Sequence, residues 1–69
     1  MALTVREWRR VKELSQESVA KSLGVHVNTY QNWEQDPGKI SIEKAFELAK
    51  IFGVSLNEIS FKSAEKEPA

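Results

Sequence analysis

Residues 16–34 read QESVAKSLGVHVNTYQNWE, and the spacing in this stretch decides the fold. Val19 and Leu23 stand four residues apart with Ala20 beside them, which is one apolar helical face. Gly24 follows where a chain must stop its helix in a left-handed conformation that has no Cβ clash only for glycine. After Val25, the residues Val27, Tyr30 and Trp33 recur every third position, with Glu34 four after Tyr30. A second short helix therefore has one largely apolar face and one polar face that carries Asn28, Gln31 and Asn32. A small residue at Ala20 lets the two helices approach at a steep crossing, and Gly24 permits a tight connection. The alternative is an ordinary helical hairpin in a small bundle. The amides weigh against it, because Asn and Gln each offer a donor and an acceptor and can pair bidentately with adenine in the major groove.

Working outward, Thr4 and Glu7 form a capping-box signature that opens a first helix at Val5, with Val5, Trp8 and Val11 expected to point inward. Arg9 lies only ~40° around that helix from Val5 at about 100° per residue, so a permanently charged group sits at the edge of the buried face. It either finds an anionic partner or extends to water. Ser15 caps the next helix, which makes Gln16 its first residue. Residues 35–40, QDPGKI, read as a loop. A further helix is expected over 42–52 from the spacing of Ile42, Ala45, Leu48, Ala49 and Phe52, with Gly53 as its stop. Ser55 and Glu58 suggest another capping box and a final short helix through Leu56 and Ile59. Phe61 either closes the core or sits on a subunit contact, and residues 62–69, KSAEKEPA, read as a frayed tail.

Arg9, the LSQ at 14–16, the set Ala20, Leu23, Gly24 and Val25, the run NTYQNWE ending at Glu34 and the later LAKIFGVSLNEI together resemble the Cro and phage-repressor (XRE-like) type of helix-turn-helix domain. The resemblance covers about residues 3–61. It implies an all-α, compact five-helix domain over 1–61 with the motif at its second and third helices, followed by a flexible tail. It further implies double-stranded DNA as partner, with the second helix of the motif in the major groove. Carried residue by residue, it gives Val27, Asn28, Gln31 and Asn32 as base contacts: Val27 toward a thymine methyl, Asn28 and Asn32 toward adenine, and Gln31 toward a base or a phosphate. Gln16, Thr29, Gly38 and Lys39 become phosphate contacts, although the Thr29 hydroxyl has its own helix as an alternative. In the loop, Pro37 cannot donate a hydrogen bond and Asp36 repels phosphate. Arg9 and Glu34 occupy positions that form a buried ion pair in such domains. The sequence departs from the pattern at Glu13, where relatives often have Gly, and at His26, where Ser or Thr is the usual cap.

Composition bounds the rest. Sixty-nine residues with 41% apolar content make one domain with a modest core. With no cysteine and a single histidine, there is neither a disulfide framework nor a metal site, and no set of acid, base and nucleophile suggests an enzyme or a cofactor. No apolar run approaches the ~18 residues of a membrane span, and a signal peptide is not apparent. The expected location is the cytoplasm of a bacterium or of a phage-infected host.

Ten basic and ten acidic residues cancel, which does not favour general DNA affinity. Phosphates are also held by backbone N–H groups and helix N-termini, so the expectation is modest non-specific binding and reliance on a paired site. The sequence thus points to a small repressor, homodimeric at least on DNA, acting on a palindromic operator with half-sites about 34 Å apart. Two other readings stay open. One is a protein-interaction module of the same fold, such as an antirepressor or an antitoxin-like partner. The other is the N-terminal fragment of a larger regulator.

Overall fold

The computed structural model describes residues 2–62, and the tail expected to fray at 62–69 lies outside them except for Lys62. Among the described residues four α-helices follow one another, α1 (Val5–Val11), α2 (Gln16–Leu23), α3 (Val27–Gln35) and α4 (Ile42–Phe52). Their starts are set by side chains that accept the orphan N–H groups of each first turn. Thr4 and Glu7 make the full reciprocal box, with Glu7 N–H donating to Thr4 Oγ1 at 3.2 Å and Thr4 N–H donating to Glu7 Oε1 at 2.9 Å. Ser15 accepts from Ser18 N–H and Ser41 accepts from Lys44 N–H. His26 caps as well: its Nδ1 accepts from Asn28 N–H at 3.1 Å.

The ends of α1, α2 and α4 share one device, whereas α3 stops at Asp36 with φ −135°. At Gly24 the φ is +73°, its N–H donates to the Lys21 carbonyl and the Val25 N–H reaches back to the Ala20 carbonyl. This doubly bonded left-handed stop recurs at the end of α1, where Glu13 adopts φ +57° and the N–H groups of Glu13 and Leu14 reach the carbonyls of Arg10 and Arg9. The helix therefore stops where the family often has glycine, but on a residue with a Cβ.

Val5, Val19, Ala20, Leu23, Tyr30, Leu48, Ala49, Phe52 and Ile59 form the buried core. Two apolar residues expected there are outside it. Val11 is 58% exposed and Ile42 62% exposed. Both misses come from helical drift, since a ladder of every third residue rotates ~60° per step and carries Val11 about 120° from Val5. Ile42 similarly lies at the edge of the stripe made by Ala45, Leu48, Ala49 and Phe52.

The expected fifth helix is absent among the described residues. Residues Leu56–Glu58 make one 3-10 turn, after which Ile59–Ser60 (β2) pairs in parallel with Leu3–Thr4 (β1), Leu3 opposite Ile59. The Ser55 hydroxyl does not cap; it directs its hydrogen to Asn57 Oδ1 at 2.6 Å and Glu58 Oε2 at 2.9 Å. Pairing with β1 then holds Ile59 extended and buried. The Trp8 indole N–H donates to the Glu58 carbonyl at 2.7 Å and fixes this segment to α1. The described residues are thus mostly helical, with one minimal parallel β-pair tying Leu3–Thr4 to Ile59–Ser60. Phe61 packs on the core and lines an open groove of about 790 Å³ with Ile40, Ile42 and Leu56. Pro37–Lys39, within the expected loop, form a second 3-10 turn whose Pro37 is buried.

Candidate nucleic-acid interface

α3 is held by what its inner face carries. Tyr30 is fully buried, Val27 and Trp33 are half-buried against the core, and the Glu34 side chain is 0% exposed. A buried carboxylate requires a partner. Arg9 supplies it, its Nε donating to Glu34 Oε2 at 2.6 Å. The same guanidinium donates through Nη1 to the Leu14 carbonyl at 2.8 Å, so one side chain of α1 clamps both the α1–α2 corner and α3. Arg6, one turn earlier, places its Nε 3.7 Å from the other Glu34 oxygen.

The ionisation of this cluster follows from its surroundings. Burial pushes the Glu34 carboxyl up, but the Arg9 hydrogen bond, with help from the polar hydroxyl of Tyr30 nearby and from the Gln16 amide, more than offsets it and holds the group below the usual carboxylate range. Burial and the neighbouring Glu34 charge push the Tyr30 phenol far above its ordinary value. The Tyr30 hydroxyl has no well-formed hydrogen bond among the described residues. The cluster is charged, enclosed and structural.

The outer face differs in every respect. Asn28, Thr29, Gln31 and Asn32 are exposed. No side-chain hydrogen bond engages Asn28, Thr29 or Asn32 among the described residues, so their donors and acceptors are available. Val27 contributes less surface than expected, because its side chain packs partly inward. Gln16 also departs from an outward-facing role. It is half-buried, donating through Nε2 to Glu34 Oε1 at 2.9 Å and accepting at Oε1 from Gln31 Nε2 at 3.1 Å. The second N–H of its amide and its backbone N–H in the first turn of α2 make no hydrogen bond among the described residues.

Gly38 and Lys39 are exposed in the 3-10 turn that follows α3, with Lys39 Nζ 3.9 Å from Asp36. Two relevant residues were missed in the sequence. Arg6 belongs to the Glu34 cluster, and its i,i+3 spacing to Arg9 was the available signal. Lys44 Nζ donates to the Leu23 carbonyl at 2.7 Å and so steadies the end of α2 against α4, an interaction with no sequence signature.

Two helices joined by a left-handed glycine, the second presenting free amides and anchored from behind, define a helix-turn-helix domain. The helix-turn-helix family model matches residues 5–59, and the chain belongs to that family. Over 55 residues, 80% of the chain, it is 36% identical to the cryptic phage CTXphi transcriptional repressor RstR of Vibrio cholerae, a match spanning half of that protein's length. At the same identity and coverage it resembles an uncharacterized HTH-type transcriptional regulator of Methanocaldococcus jannaschii, 83% of which is spanned. No solved structure matches the chain.

Proposed function

We propose that this protein is a sequence-specific DNA-binding transcriptional regulator, a small repressor that lays α3 in the major groove of a palindromic operator. The observation that carries the reading is the division of α3 into a locked inner face and an outer face on which the Asn28 and Asn32 amides are unengaged among the described residues, in a domain of the helix-turn-helix family. Asn28 and Asn32, one helical turn apart, read adenine. Gln31 reads a base beside them, and Val27 offers its exposed part to a thymine methyl. Phosphates are met by the Gln16 backbone and remaining amide N–H, by Thr29, and by Gly38 and Lys39 in the turn after α3.

Charge argues for pairing. With zero net charge, one copy gains little from phosphate attraction alone, so a homodimer that engages two half-sites supplies the affinity. Selection of sites from a random duplex pool tests this reading. The expected product is a palindrome whose half-sites are centred about one helical turn apart. An unenriched pool, or duplex binding insensitive to salt, contradicts it.

A further inference from the structure

The polarity of one amide in the outer face is dictated from inside the domain. Glu34 lies in a buried ion pair with Arg9, and an ionised carboxylate can only accept hydrogen bonds. Gln16 approaches the Glu34 oxygen that Arg9 does not bond, at 2.9 Å, so the atom of Gln16 nearest Glu34 must be the amide nitrogen. The carbonyl oxygen of Gln16 then points the other way, toward Gln31. An oxygen there demands a donor, which turns the Gln31 nitrogen inward at 3.1 Å. By elimination the Gln31 carbonyl faces outward, where it makes no hydrogen bond among the described residues.

We propose that Arg9, Glu34 and Gln16 act as a relay that fixes the rotation of the Gln31 amide, so that Gln31 selects adenine over guanine at the base pair it faces. This rests on α3 lying in the major groove, as argued above. Adenine presents an N6 donor beside the N7 acceptor, matching the outward carbonyl of Gln31 and the N–H on its carbonyl side. Guanine presents two acceptors, O6 and N7, and its O6 meets the outward carbonyl oxygen. A free glutamine escapes that conflict by rotating about its last bond, whereas Gln31 can do so only by breaking its bond to Gln16. Gln16 in turn cannot rotate without turning its oxygen onto the Glu34 carboxylate. Gln16 and Glu34 are positioning residues here, and only Gln31 touches the base.

The test is a site selection with the full chain and two variants, Gln31→Ala and Gln16→Leu, each first shown by circular dichroism to fold. Wild type is expected to enrich a site in which one position per half-site prefers adenine over guanine by about tenfold or more. In Gln31→Ala that preference vanishes while the positions read by Asn28 and Asn32 keep theirs. Gln16→Leu also loses a side-chain phosphate contact and so binds every duplex more weakly, but only at this position does the base preference relax, toward equal use of the two purines. A loss of packing would weaken every position together, so the single-position change separates a relay from a merely structural role. An enriched site whose adenine preference survives Gln16→Leu, or is indifferent to Gln31→Ala, overturns the relay and leaves DNA reading intact. A pool that wild type does not enrich overturns both. A second readout needs no DNA: the side-chain amide protons of Gln31 should shift toward solvent-exposed NMR values in Gln16→Leu, and an unchanged signal contradicts the proposal.

Discussion

The two faces of α3 are built from one nine-residue helix and obey opposite rules. Inward, Tyr30 and Glu34 are buried, and the charge of Glu34 is matched by a single strong partner. Outward, the side-chain amides of Asn28 and Asn32 are exposed and make no hydrogen bond among the described residues. Burial makes an unpaired polar group costly, whereas exposure leaves it usable. A recognition surface therefore needs rigid support directly behind it, and here Gln16 connects the two, with one end on Glu34 and the other on Gln31.

The largest break comes from the inner face. Glu34→Ala leaves the Arg9 guanidinium without its carboxylate and should lower unfolding stability by about 3–5 kcal/mol in denaturant titration. The double change Arg9→Met with Glu34→Leu removes both charges and should recover most of that loss, because the pair itself adds little over well-packed apolar groups.

Acid provides the same test without mutation. Glu34 has a folded-state pKa below its ordinary 4.5, so its contribution is present above that value and is lost as pH falls through the lower folded one. Melting curves collected from neutral pH downward should therefore show a steeper decline for wild type than for the double variant.

Changes on the outer face should reverse the pattern. Asn32→Ala should leave stability within about 0.5 kcal/mol of wild type. It should cost about 1–3 kcal/mol on the selected site and almost nothing on random duplex. The smallest effect is expected beyond α3, where Lys39→Ala should weaken all duplexes alike and reduce the slope of log affinity against log salt by about one.

Much of this was legible in sequence because it depends on local rules. Thr4 with Glu7, Ser15, Gly24 and Gly53 mark helix ends through local chemistry, and the structure uses each of them there. Other features depended on distant partners. Ser55 and Glu58 have the spacing of a capping box, yet β1 pairs with the segment and only a 3-10 turn forms. Glu13 adopts φ +57° without glycine because the backbone bonds of the α1 stop and the Arg9 guanidinium on the Leu14 carbonyl hold the corner. The Gln16 bonds were equally hidden. A helix-start glutamine reads as exposed until α3 brings Glu34 and Gln31 to its two ends.

The central claim is that the outer face of α3 discriminates between DNA sequences. Fluorescence anisotropy of wild type with a selected duplex and with a scrambled duplex of the same length, at about 0.15 M salt, measures it directly. The selected duplex should bind at least roughly a thousandfold more tightly. Equal affinity for the two, or no binding to either, would contradict it.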